Sequence, residues 1–143
     1  MAIYTLSLNT TVTTTGAACW GFLAQSDENP TIYEIHLDLG AATASSYGFG
    51  RAAVAGTQTG AVSVVPYGPS NQTSGKSTCA VAWSGAPTIP ASFLRRKSLP
   101  ATVGAGVIWT FPGGLGVAPA SEMLIWNLST NSASLNVTVV SEE

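Results

Sequence analysis

The chain has 143 residues, of which five are Lys or Arg and seven Asp or Glu, so 8 % are charged and the formal net charge is −2. A soluble domain ordinarily carries about a quarter charged residues, so this surface must be covered by hydroxyls, glycines and apolar groups, a composition suited to permanent contact with other proteins. The charge balance excludes a dedicated nucleic-acid binder, which would show a strongly basic face. The length fits one domain over residues 1–143 that buries roughly two-thirds of the surface its unfolded chain exposes.

Met1 to Thr5 shows neither a positive n-region nor an apolar h-segment, and no apolar run approaches the ~20 residues of a membrane span. The expectation is a protein made in the cytosol that stays soluble, with no membrane partner. Ile3 to Val12 is Thr-rich and alternating, and Ala17 to Ala24 follows after a Thr14-Thr15-Gly16 break, giving two strands. After the polar turn Ser26 to Pro30, Tyr33 to Leu39 alternates apolar odd positions with polar even ones. That period of two marks a half-buried strand, with Ile35, Leu37 and Leu39 inward and Glu34, His36 and Asp38 outward.

Further strands are expected at Ser46–Ala52, Ala61–Val65, Thr78–Trp83, Phe93–Leu99, Gly106–Phe111, Met123–Leu128 and Ser134–Val140. The interruptions are turn residues: Gly56, Pro66-Tyr67-Gly68-Pro69, Ser84-Gly85-Ala86-Pro87, Pro100, Pro112-Gly113-Gly114 and Asn131. The longest irregular stretch, Pro66 to Ser77, reads as an exposed loop between two sheets, and Ser141-Glu142-Glu143 as a frayed end. No segment sustains a 3.6-residue period. About eight to ten short strands therefore predict an all-β chain, an antiparallel β-sandwich of jelly-roll type.

Cys19 and Cys79 lie in unrelated segments without a CxxC or a His-spaced partner, and read as two buried free thiols, with a disulfide between them left open after lysis or release. The sequons at Asn9, Asn71, Asn127 and Asn136 matter only on a secretory route, so they read as ordinary Thr- and Ser-rich β-sequence.

Ser74-Gly75-Lys76-Ser77-Thr78 resembles the tail of a phosphate-cradling loop. The preceding glycine is missing, since Ser70 occupies its place, and a strand follows where the motif needs a helix. Glu34, His36 and Asp38 are too widely spaced along one strand, at roughly 6.5–7 Å, to surround a metal without a further ligand, and the chain has a single His. The expected role is a solvated polar face, with no metal and no cofactor. No GxSxG elbow accompanies the lone His, and the acids make no pair across a cleft, so no enzyme is expected.

Arg95-Arg96-Lys97 holds three of the five basic residues. It reads either as a solvated edge strand protected from aggregation by charge, or as a docking patch for an acidic surface, with Arg95 and Lys97 on one face and Arg96 on the other. Trp20, Trp83, Trp109 and Trp126 sit in apolar strand patterns and are expected in the core. Two of them sharing a groove would instead make a sugar-stacking platform, the basis for a carbohydrate-binding alternative.

The run from Ala91-Ser92-Phe93-Leu94-Arg95-Arg96 through Ile108-Trp109-Thr110-Phe111-Pro112-Gly113-Gly114-Leu115-Gly116-Val117 to Leu124-Ile125-Trp126-Asn127 resembles the late strands of small jelly-roll structural proteins. The chain as a whole is similar, in size, hydroxyl-rich surface and strand count, to the cement or decoration proteins of tailed double-stranded DNA bacteriophages. That resemblance implies a structural virion protein, made in the host cytoplasm and located on the capsid exterior. There it would bind the major capsid protein lattice and stabilise the head, as a homotrimer sooner than a dimer. A head-fibre base or tail protein shares these features.

Overall fold

In the computed structural model, which describes residues 2–12, 14–68, 73–131 and 133–143, every regular element is a β-strand and every pairing is antiparallel. Four strands open the chain: β1 Ile3–Val12, β2 Ala18–Leu23, β3 Thr31–Leu39 and β4 Ser45–Arg51. Five short ones follow: β5 Thr57–Thr59, β6 Val62–Ser63, β7 Val65–Pro66, β8 Thr78–Ala80 and β9 Ala82–Gly85. Four more close it: β10 Arg95–Leu99, β11 Gly106–Gly116, β12 Glu122–Asn127 and β13 Ala133–Glu142.

One sheet runs β11-β3-β13-β1-β7, a second runs β10-β4-β12-β2-β8-β6, and β5 and β9 make a separate ribbon. Setting the five short strands aside leaves eight that pair first with last: β1 with β13, β2 with β12, β3 with β11 and β4 with β10. Successive strands alternate between sheets on either side of the β4–β10 pair. This is one long antiparallel hairpin rolled into two layers, the jelly roll expected from the sequence. Residues 52–94 are an insertion at the tip of that hairpin. Its strands β7, β8 and β6 reach the far edge, where they extend both sheets.

The period of two in β3 places Ile35, Leu37 and Leu39 in the inter-sheet core and leaves Glu34, His36 and Asp38 half-buried on the outside. β13 alternates in the same way, burying Leu135, Val137 and Val139 opposite Leu6 and Leu8 of β1. The second sheet contributes Trp20, Phe22, Tyr47, Phe49, Met123 and Ile125 to the same core. Each such side chain, fully buried, contributes roughly 1.5–3 kcal/mol.

The structure departs from the expected strands where the chain changes layer. Ala61–Val65 is not one strand: Val64 is buried, its N–H donates to the Ser77 carbonyl and its own carbonyl accepts from Gly75, so the chain passes there from the second sheet to the first. Thr78–Trp83 likewise divides at exposed Val81, between the second sheet and the ribbon. Phe93 and Leu94 precede β10 without joining it. Pro112-Gly113-Gly114 is not a chain reversal but a bulge inside β11, where the register on β3 jumps from Thr110–Glu34 to Leu115–Ile32. Gly113 and Gly114 take φ of 81° and 82° there, which a residue with a Cβ resists. Ser141 and Glu142 are not frayed, since both belong to β13 and Ser141 is fully buried.

Candidate functional site

β10 forms the outer edge of the second sheet, so Arg95, Arg96 and Lys97 stand on an edge strand, all three exposed. Pairing with Phe49 and Tyr47 of β4 sets Arg95 and Lys97 on the inward-turned side and Arg96 on the outward one. The Arg95 guanidinium lies 5.3 Å from the ring centre of Phe111, which belongs to the opposing sheet, and so caps the open side of the core where Phe49 and Phe111 meet at 5.6 Å. Arg96 lies 5.7 Å from the ring of Phe93. Both rings offer a negative π face to the cation.

Arg51, at the end of β4, adds a fourth cation to this side of the sandwich and reaches the Gly116 carbonyl at 3.4 Å. Among the described residues none of these four cations lies within ion-pair distance of a carboxylate. The fifth, Lys76, is held at 2.7 Å by both Asp27 and Glu28. Its hydrogen bond to Asp27 pushes the lysine's pKa up and holds the Asp27 carboxyl below its usual range. Unpaired positive charge is therefore gathered on one edge, beside exposed Leu94.

The outer face of the first sheet is polar and ordered in rows. In one row Asn9 donates to Asn136 at 2.9 Å and Asn136 donates to Asp38 at 2.9 Å. In the next, Thr138 donates to Ser7 at 2.9 Å, and His36 Nε2 pairs with Glu34 Oε2 at 2.9 Å along the strand. Glu34, His36 and Asp38 do not converge on a point, and among the described residues no three His, Cys, Asp or Glu side chains are grouped as metal ligands. The sequons at Asn9 and Asn136 belong to these rows. Asn127 is buried and accepts from the Ser129 hydroxyl at 2.7 Å, and Asn71 lies outside the described residues.

Three of the four tryptophans are buried as expected, and Trp83 is not. It is half-buried on β9, where its indole N–H donates at 2.8 Å to Oε1 of Glu122. The four do not share a groove of their own: Trp20 and Trp109 enter the inter-sheet core, and Trp126 lies outside it. Glu122 is a residue the sequence did not single out. It is only 6 % exposed, at the start of β12, and its Oε1 also accepts from Gln58 of β5 at 2.7 Å, so one carboxylate fastens the ribbon to the second sheet.

The Ser74-Gly75-Lys76-Ser77 run does hold an anion, one from its own chain. The backbone N–H groups of Lys76 and Ser77 donate to the two carboxylate oxygens of Glu143 at 2.8 and 2.9 Å. Cys19 and Cys79 are free and buried, and burial pushes both thiols well above their ordinary range.

No family model matches the chain, and no curated protein matches it. Among solved structures it is similar to the coat protein of Tobacco streak virus, at 8 % identity over 96 % of this chain and 86 % of that one, with a TM-score of 0.37. It is also similar to the BFDV capsid protein in its decameric form, at 14 % identity over 97 % of each chain with a TM-score of 0.27.

Proposed function

We propose that this chain is a structural virion protein without catalytic activity, a cement or decoration protein that binds the outside of a major capsid lattice and stabilises the head. The observation that carries the reading is the edge at β10. Exposed Arg95, Arg96 and Lys97 stand there beside Leu94 and Arg51, without carboxylate partners among the described residues, on a jelly roll whose remaining surface is poor in charge. A hydroxyl-rich surface loses little desolvation energy and little side-chain entropy in a permanent interface. Guanidinium forks add directional contacts to acidic groups on the partner. Several copies around a local threefold axis of a shell multiply those contacts, which favours a homotrimer.

The test is co-sedimentation of the purified protein with particles. The parent protein should decorate them as a trimer in sedimentation, with binding that weakens as salt rises. The double variant Arg96→Glu with Lys97→Glu should keep its β-type circular dichroism yet decorate poorly. Undiminished decoration by a folded double variant would remove β10 from the interface. A monomer that never accompanies particles would remove the virion role itself.

A further inference from the structure

We infer that the outer face of the five-stranded sheet is a binding groove for a neutral oligosaccharide, with Tyr67, Tyr33, Glu34 and His36 as its recognising side chains. This goes beyond the virion reading and stands apart from the β10 edge.

The groove has a volume of about 430 Å³, and strand backbones form its floor. Thr5 of β1, Val140 and Thr138 of β13, and Glu34 and His36 of β3 lie side by side on that floor. Its walls come from two phenols. Tyr33 sits where the β3–β13 register shifts between Val140 and Ser141, and its hydroxyl is fixed by a 2.6 Å hydrogen bond to Glu142. Tyr67 comes from the insertion just after β7, where its backbone N–H is held by the Ile3 carbonyl at 2.8 Å while the residue is 71 % exposed.

Tyr67 does not stand alone: exposed Ile3 and half-buried Val140 line the same groove, and a contiguous apolar strip beside a polar floor marks a binding surface where a lone exposed side chain would not. It suits a ligand with an apolar face and a rim of hydroxyls, which is the chemistry of a pyranose ring. The C–H faces of the sugar would lie on Tyr67, Val140 and Ile3. Its hydroxyls would meet groups already held in place. Glu34 Oε2 and His36 Nε2 engage each other, and among the described residues nothing else bonds Glu34 Oε1 or the second imidazole nitrogen. The Thr5 and Thr138 hydroxyls donate to Val139 and Ser7, so their oxygens remain as acceptors. Such preorganisation lowers the ordering cost of binding.

Charge selects within that class. Among the described residues the groove is lined by a carboxylate and by no Lys or Arg, which disfavours uronic and sialic acids. Length selects a chain over a single sugar. A second hollow of about 380 Å³, lined by Asp38, Gly106 and Ile108, adjoins the first at His36, so the two hollows together span the sheet from β7 to β11. That is four strand spacings, roughly 19 Å.

The experiment is titration of the ¹⁵N-labelled protein, followed by NMR and calorimetry, with maltohexaose, cellohexaose, xylohexaose, chitohexaose and polygalacturonate as probes at millimolar concentration. At least one neutral hexasaccharide should bind and shift the amides of β1, β3 and β13, while polygalacturonate should not. Tyr67→Ala, an exposed change that leaves the fold intact, should weaken that binding roughly threefold to tenfold, the scale of one aromatic contact. His36→Ala should weaken it as well, and Lys97→Glu should leave it unchanged. Failure of all four neutral probes, retained affinity in Tyr67→Ala, or shifts confined to another face would each overturn the inference. So would self-association that Tyr67→Ala abolishes with no sugar bound, since the face would then be an interface between copies.

Discussion

On the outer face of the five-stranded sheet, β13 alternates buried and half-buried residues along its whole length, whereas all six residues of β12 in the six-stranded sheet are buried. The two strands occupy corresponding central positions in a rolled hairpin, so the difference comes from what lies on top of them. Met123 and Ile125 of β12 face the inter-sheet core, and Leu124 and Trp126 face away from it, yet both are 0 % exposed. The insertion lies over this face. Trp83 and Gln58 reach Glu122, and the Phe93 ring fills the place a Cβ on Gly48 would take, at 2.7–2.9 Å from its ring carbons. One sheet keeps its outer face open, and the other has become the middle layer of three.

The most severe test of that contrast is Trp126→Ala against Thr138→Ala. Both residues face outward from a central strand. Removing the buried indole should cost about 3–5 kcal/mol, read from the urea midpoint. The half-buried threonine, which gives up one hydrogen bond to Ser7, should cost no more than about 1 kcal/mol. Similar costs at the two positions would mean that the insertion does not cover the second sheet.

The same contrast explains how far the sequence could be read. β1, β3 and β13 are legible because one side of each is wet, so apolar and polar residues must alternate. The segment Tyr47-Gly48-Phe49-Gly50 and the run Met123 to Asn127 carry no such signal about their outer sides, because the covering chain is distant in sequence. The split of Ala61–Val65 and of Thr78–Trp83 is invisible for a related reason: a two- or three-residue strand is chosen by its partner sheet rather than by its own periodicity. At the β10 edge the charge of Arg95-Arg96-Lys97 revealed the edge. The aromatic partners Phe111 and Phe93 depend on the sandwich being closed. Tyr67 reads locally as a turn residue, and only the docking of β7 beside β1 turns it toward His36.

Buried thiols test the inner side of the second sheet. Cys19 and Cys79 both belong to the inter-sheet core, where burial raises their pKa above the ordinary 9.0. Below that value both states keep the proton and stability is unaffected. Above it the unfolded chain loses protons that the folded chain retains, so stability falls as pH rises. The loss should reach about 1 kcal/mol per thiol one unit higher, and Tyr47, also raised by burial, acts in the same direction. Urea midpoints from pH 7 to 10 check this, together with iodoacetamide labelling, which should need denaturant. Ready alkylation of the native protein at pH 8 would contradict the closed core.

Glu122→Ala should cost about 2 kcal/mol, because it strands the Gln58 and Trp83 donors at a half-buried site. Combined with Trp83→Phe, the loss should be less than additive, since both changes break the same bond. Strict additivity would place the ribbon's attachment elsewhere.

The smallest expected effect is at the far edge, where the insertion is clipped back to the open-faced sheet. Glu143 follows β13 directly, and its carboxylate receives the N–H groups of Lys76 and Ser77 while its own N–H and carbonyl pair with Ala2 at 3.2 Å. Two backbone donors meet two carboxylate oxygens, so each half of the contact satisfies the other. Glu143→Ala leaves both donors to water at a partly open site, and the cost to global stability should be about 1 kcal/mol. Locally the change should be larger, with faster hydrogen exchange at Lys76 and Ser77 and no change along β3. Glu143→Gln keeps one good acceptor and turns an amide N–H₂ toward a donor, so its exchange rates should fall between the two. The side chain of Lys76 is held separately by Asp27 and Glu28, so high salt should loosen that side chain without reproducing the effect of Glu143→Ala. Unaltered exchange at Lys76 and Ser77 in Glu143→Ala would show that the insertion stays docked through the covered face alone.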